Sequence, residues 1–287
     1  MNNAQNNDST VVLGEFIKNS RLDEIKSYNK TANYKPNNNQ LNNSTLDEFL
    51  SSKSAVFIKS YGPGYLSSIS LRGGNAQQTS VVWNGFVINS PLNGICDLST
   101  IPNSFVDEID LLSGNSASLW GNGGISGAIH LSNNYKFNDS LKIRIGSSIG
   151  SFSNVKNYFN IKKGFKNWHT SFRFFHNKNE NDFSILNPIT NDTKRQTNSS
   201  IYQLSLMNEN YFQLGSNSFL KIIGIYQSFK RKIPPTLNEQ FSFAKQDDNI
   251  ARIFSDLKII RNKNSLNIKS TFFNTVNNYS NITSSIE

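Results

Sequence analysis

Cysteine is nearly absent: Cys96 stands alone among 287 residues, so no intrachain disulfide can form. Set beside Asp97, it reads as an inert small residue rather than a nucleophile. Long hydrophobic runs are missing too. No stretch of about 20 apolar residues occurs, which excludes a transmembrane helix. The opening Met1-Asn2-Asn3-Ala4-Gln5-Asn6-Asn7-Asp8 has no apolar core of a secretory signal, so any export signal is expected to lie outside this sequence. The three histidines, His130, His169 and His176, have no metal-ligand spacing, and neither a metal nor a cofactor is expected. The glycine-rich stretch from Gly121 to Gly127 lacks the flanking strand and helix of a dinucleotide loop, and no Walker lysine or nucleophile elbow appears. An enzyme is therefore not expected. Acidic residues are few, 20 against 29 Lys and Arg, for a formal charge of +9. The lysines are scattered among Asn and Ser without a dense run, which favours solvated loops over a nucleic-acid partner.

What is present is aromatic. Phe and Tyr number 21 and 10, in a chain only 36% hydrophobic overall. Disordered chains are poor in aromatics, whereas strands that alternate apolar and polar positions need few hydrophobic residues and favour rings. From about residue 138 onward such alternation is continuous. Trp168, Thr170, Phe172 and Phe174 oppose His169, Ser171, Arg173 and Phe175, and Ala251, Ile253, Ser255, Leu257 and Ile259 oppose Arg252, Phe254, Asp256 and Lys258. Strands are predicted near 140–151, 154–163, 166–178, 198–211, 217–230, 249–261 and 264–280. After a tight first hairpin, short links alternate with long polar ones near 179–197 and 231–248. Bacterial outer-membrane barrels have this asymmetry, and a soluble sandwich has no reason to adopt it.

The first half has a different texture. Residues 29–44 are Asn-rich, interrupted by Pro36, and read as loop or linker. Thr45-Leu46-Asp47-Glu48 is a capping box that opens a short amphipathic helix. Ala55–Lys59 and Ser68–Arg72 read as strands around the loop Tyr61-Gly62-Pro63-Gly64-Tyr65. Asn84-Gly85 between Val81-Val82-Trp83 and Phe86-Val87-Ile88 predicts a type I′ hairpin. Ile101-Pro102 begins a helical turn, 106–112 is a strand, 116–120 a short helix closed by Gly121, and 128–131 a last strand.

The ordered set Leu71-Arg72-Gly73-Gly74, Val82-Trp83-Asn84-Gly85-Phe86, Asp97-Leu98-Ser99-Thr100-Ile101-Pro102, Val106-Asp107-Glu108-Ile109-Asp110-Leu111 and Ala117–Leu131 resembles the plug domain of TonB-dependent receptors. Arg72, Gly73, Gly74, Asn84, Gly85, Gly114, Gly121, Gly124 and Gly127 are the positions that carry its turns. The resemblance implies an α+β plug domain followed by an all-β antiparallel transmembrane β-barrel, here truncated at roughly seven of an expected 22 strands. It divides the chain into an N-terminal segment (1–21), a plug (22–136) and a partial barrel (137–287).

Within the N-terminal segment, Asp8-Ser9-Thr10-Val11-Val12-Leu13 resembles a TonB box, which in the family pairs as an added strand with TonB. Family members commonly carry an Arg where Ser113 stands. In the family plug arginines contact barrel glutamates, so Arg72 would be left to make such a contact alone. The details are similar to the vitamin B12 receptor branch of Bacteroidetes. That implies active uptake of a scarce bulky nutrient, cobalamin first, with siderophores as the alternative. The implied partners are TonB, the outer membrane and, as a further candidate, a surface lipoprotein. Tyr61, Tyr65, Asn89, Ser90, Leu92 and Asn93, on apical loops, are the candidate ligand contacts, because aromatic and amide groups suit a bulky ligand with polar edges. A passive barrel or surface adhesin would explain the strands but not the plug signature.

Overall fold

A computed structural model describes residues 32–36, 43–113, 124–187, 191–236, 239–261 and 264–281. The chain divides into two compact units. The first contains residues up to 34, 70–96 and 109–132; the second contains 35–69, 97–108 and 133–287. This division gives three stretches of residues 22–136 to the second unit: 35–69, 97–108 and 133–136.

The first unit is built on a five-stranded sheet in the order β1 (Ala32–Tyr34), β6 (Glu108–Ser113), β7 (Gly127–Ser132), β4 (Thr79–Trp83), β5 (Phe86–Val87). Every residue of β4 is buried, as expected of a central strand covered on both faces. β4 runs parallel to β7, with Val81 opposite Ile129 and Trp83 opposite Leu131. The predicted hairpin is present: Trp83 pairs with Phe86, and Asn84 and Gly85 take φ of 49° and 88°, the positive values a type I′ turn requires. Gly127 has φ +150°, and a Cβ there would lie 2.5 Å from the Leu112 carbonyl oxygen, so β6 and β7 could not approach as they do with any other residue. The reading of 29–44 as linker is corrected in one place. Ala32–Tyr34 is a strand, antiparallel to β6, with Asn33 donating to Asp110 Oδ1 at 2.6 Å. Three residues are too short to show a period; the edge of β6 supplies the order.

The second unit is dominated by a seven-stranded antiparallel meander. Its strands are β8 (Lys142–Gly150), β9 (Asn154–Gly164), β10 (Trp168–Asn179), β13 (Ile201–Gln213), β14 (Ser218–Lys232), β15 (Lys245–Arg261) and β16 (Asn264–Ser280), each paired with the next. The alternation of short and long links is as the sequence predicts. The long link between β10 and β13 is not featureless, since β11 (Ser184–Leu186) and β12 (Thr193–Arg195) form a small hairpin within it. One face of the meander is buried, with His169, Ser171, Arg173, Phe175 and Asn177 along β10 and Gln203, Ser205, Met207, Glu209 and Tyr211 along β13. The other face is open and apolar. Ile145 (71% exposed), Ile149 (84%) and Phe272 (56%) lie on it. A solvated surface of this kind is unusual, whereas the lipid-facing band of an outer-membrane barrel requires it. At the short-turn end Phe165, Trp168 and Phe212 stack with ring centroids 4.9 and 6.1 Å apart, in the manner of an interfacial aromatic belt.

Against the buried face sit helix α1 (Leu46–Lys53), the hairpin β2 (Phe57–Ser60)–β3 (Ser67–Ser70), and the segment 97–108, all except Ser70 within the second unit. The Thr45 amide donates to Glu48 at 3.2 Å, completing the predicted cap, and Leu46, Phe49 and Leu50 are buried. The Leu46 amide donates to the Ile101 carbonyl at 2.8 Å, tying the helix to the segment.

Candidate functional site: a segment ion-paired to the wall

The segment 97–108 is fastened to the meander's buried face by two charged clusters and one shared carbonyl. Strand periodicity places the partners. Arg173 faces Asn160 on β9 and Met207 on β13, while Ser171 faces Lys162 and Glu209, so these groups form two adjacent inward rows. Arg144 on β8 lies opposite Asn160 and extends the first row.

At the centre is Arg173, whose side chain is only 2% exposed. Nη1 and Nη2 donate to the two oxygens of Asp107 at 3.2 and 3.1 Å, a fork-on-fork pairing, and Nη1 also reaches the Ser104 carbonyl at 3.3 Å. On the other side Nη2 lies 3.3 Å from Glu209 Oε2. Glu209 is held in turn by Ser171 Oγ at 2.8 Å, Asn133 Nδ2 at 2.9 Å and the Tyr211 hydroxyl at 3.2 Å. Asp107 also accepts the Asn134 amide at 2.9 Å, while Lys162 and Arg144 approach it to 3.5 Å. Burial by itself would raise the Asp107 carboxyl. The Arg173 and Lys162 charges and the hydrogen bonds from Arg173 and Asn134 outweigh it, holding the group well below the usual carboxylate range. Asn160 Nδ2 and Asn133 Nδ2 bind the Ser104 and Phe105 carbonyls at 2.8 and 2.9 Å, so the backbone on the N-terminal side of Asp107 is fixed as well.

The second cluster lies toward the long-loop end. Arg231 Nη2 binds Asp97 Oδ2 at 2.9 Å, and Asp97 Oδ1 accepts from the amides of Ser67 and Ser99 and from the Ser99 hydroxyl at 3.0, 3.1 and 2.7 Å. Between the clusters, Gln203 and Gln227 both direct Nε2 at the Thr100 carbonyl, at 3.2 and 2.5 Å, and Arg252 orients Gln227 at 2.7 Å.

The sequence-predicted contacts fall differently. Tyr61 is an exposed tip with the Lys59 ammonium 5.1 Å from its ring centre. Tyr65 is turned inward. Its hydroxyl lies 2.9 Å from both the Ser199 and Lys232 carbonyl oxygens, and burial pushes its pKa up to about 12. Asn89 is a hairpin brace whose amide group accepts from Val81 N and donates to the Thr79 and Gly94 carbonyls at 2.7, 3.0 and 2.9 Å. Ser90 and Asn93 cap the amides of Leu92 and Ile95, and Leu92 is the large hydrophobic side chain exposed on that loop. The two groups belong to different units: Tyr61 and Tyr65 to the second, and 89–93 to the first.

Arg72, at φ 48°, is exposed and makes no ion pair among the described residues. Charge runs the other way, from carboxylates on the segment to arginines on the wall. Gly73 has φ +74° and open space around it, whereas a Cβ on Gly74 would meet Ser126 at 2.5 Å. Gly124 is buried. Asp8 to Leu13, Gly114, Gly121 and the helix expected at 116–120 lie outside the described residues. Sequence reasoning placed Arg173 on the right face but did not pair it. The available signal was a charge in mid-strand, Arg173 on one and Glu209 on the next, where a lipid-spanning wall tolerates charge only with a partner inside.

Residues 35–128 match the family model described as the TonB-dependent Receptor Plug Domain. With the meander, the chain has the plug-and-barrel fold seen in the TonB-dependent receptors. Among curated proteins it is similar to the vitamin B12 transporter BtuB of Vibrio vulnificus (strain YJ016), 33% identical over 131 residues, which is 44% of this chain and 21% of that protein. The BtuB of Photobacterium profundum is 29% identical over 97 residues, 34% of this chain and 16% of that protein. Among solved structures it resembles the copper transporter OprC (TM-score 0.66, 11% identity, 87% of this chain and 37% of that one). It also resembles the siderophore receptor PiuA from Acinetobacter baumannii (TM-score 0.64, 12% identity, 88% and 37%). The chain thus matches about a fifth of the first curated relative and under two fifths of the solved chains.

Proposed function

We propose that the chain belongs to an outer-membrane receptor that imports a scarce bulky nutrient, cobalamin first, at the expense of work delivered through TonB. The observation that carries this reading is the fastening of segment 97–108 to the wall through Asp107–Arg173–Glu209, a gate that stays shut without an external input. The likeness to vitamin B12 transporters is one of sequence, whereas the siderophore receptors match in fold alone, and this favours cobalamin over a siderophore. Asp8 to Leu13 would supply the strand that TonB takes hold of. Of the candidate ligand contacts, Tyr61 in the second unit and Leu92 in the first are exposed; Tyr65 and Asn89 would hold their loops in shape. Residues 1–21, 22–136 and 137–287 would then act as handle, gate and wall.

The test is uptake of labelled cobalamin and of a ferric siderophore by cells whose only such receptor is the full-length protein. Deletion of residues 8–13 is expected to abolish energised cobalamin uptake and leave binding at the cell surface. Undiminished uptake after the deletion would remove the TonB-box assignment, and uptake of the siderophore alone would remove cobalamin.

A further inference from the structure

On the buried face of the meander, next to the Asp107 cluster, lies an open cavity of about 570 Å³ lined by Lys35, Lys142, Arg144, Lys162, Asp107 and Asn134, with Leu141 and Ile143 at its side. All of these residues belong to the second unit. Four of them are cations and one is an anion. That anion is already committed. Both Asp107 oxygens are taken by the Arg173 fork at 3.2 and 3.1 Å, and Oδ2 is shared with the Asn134 amide. Arg144 and Lys162 reach the same carboxylate only at 3.5 Å, longer than the usual range of about 2.7–3.2 Å for an N–H···O bond, and both line the cavity with side chains that remain 29% and 20% exposed. Lys142 is balanced by Asp139 at 2.7 Å, but its side chain remains half exposed. Lys35 is exposed and makes no ion pair among the described residues.

We propose that this cavity is a binding site for a small polyvalent oxyanion, phosphate in chemistry, held by Arg144, Lys162 and Lys35. Its size falls within the range of small-molecule sites, and a planar guanidinium beside two ammonium groups is a common donor set for phosphate. The site has a consequence for the gate. An anion seated there competes with Asp107 for Arg144 and Lys162, and its charge repels the Asp107 carboxylate. Occupancy and the attachment of segment 97–108 therefore oppose one another, and by linkage each weakens the other by the same factor.

The direct experiment is titration of the protein in non-ionic detergent with inorganic pyrophosphate, followed calorimetrically, with short-chain phosphatidate as a second arm to separate a soluble anion from a lipid headgroup. Saturable binding that weakens as salt is raised is expected. Lys35→Ala, which leaves the Asp107 cluster intact, should weaken it several-fold. R144Q/K162M should weaken it tenfold or more. Asp107→Asn should tighten it roughly tenfold by removing the competing charge. Dependence on Arg144 and Lys162 in either arm supports the site and names the source. Absence of saturable binding in both arms, or equal affinity across the variants, overturns it. Binding is read directly, so the result does not depend on what the receptor imports.

Discussion

Replacing Arg173 by Met leaves two carboxylates, Asp107 and Glu209, facing a hole where their shared cation stood. Their side chains are 3% and 1% exposed, so water cannot take over. Glu209 keeps Ser171, Asn133 and Tyr211 as donors, and Asp107 keeps the Asn134 amide and the distant Lys162 and Arg144 charges. Those partners soften the loss without cancelling it. Removing one member of a buried ion-paired group costs about 3–5 kcal/mol, and the partial compensation places Arg173→Met near the lower end of that range. Lys at 173 restores charge but not the fork, and one ammonium cannot serve Asp107 in two places and Glu209 as well; about 2 kcal/mol should remain lost.

Urea unfolding in detergent micelles, followed by the emission of Trp83 and Trp168, measures the difference. Protease sensitivity of residues 97–108 reports whether the segment has come away from the wall. Adding Asp107→Asn to Arg173→Met removes one of the stranded charges, so the double variant should lose less than the sum of the singles by at least about 1 kcal/mol. A loss of under about 0.5 kcal/mol for Arg173→Met, or strict additivity in the double variant, would refute the account of this cluster as a coupled unit.

Two further outcomes follow from the same geometry. The Asp107 carboxyl is depressed in the folded state, so its stabilisation is complete above its unfolded value of about 4 and is lost as pH falls toward the folded one. Stability should therefore be flat on this account from pH 8 to about 5 and decline below about 4, and Asp107→Asn should flatten that acid limb; an unchanged limb in the variant would exclude Asp107 as its source. Gly127→Ala places a Cβ 2.5 Å from the Leu112 carbonyl oxygen at φ +150°, and should cost about 2 kcal/mol or more by forcing β6 and β7 apart, seen as a lower urea midpoint; a neutral result would mean that the two strands separate freely.

Much of the wall was legible in the residues alone. Alternation has a period of two and is local, so β9, predicted near 154–163, spans Asn154–Gly164, and β16, predicted near 264–280, spans Asn264–Ser280. The Asn84-Gly85 turn and the Thr45 cap were equally legible, because each depends on the conformational preferences of two to four adjacent residues. The glycine-studded order of the plug motifs carried the family resemblance for the same reason.

Tertiary structure alone decided the rest. Ala32–Tyr34 became a strand because β6 offered an edge, and nothing in three residues announces that. Tyr65 and Asn89 looked like ligand contacts by residue type, but their polar atoms are spent on backbone groups, one of which lies 167 positions away in sequence. The ion pairs that hold segment 97–108 join residues separated by 66 and 134 positions. Alternation says that Arg173 faces inward, but not which carboxylate it meets. The meander's register sets Arg173 and Glu209 in neighbouring inward rows, and the path of segment 97–108 brings Asp107 to them. Charge pairing depends on distance in space, and in this chain that distance is fixed only after the strands have found their register.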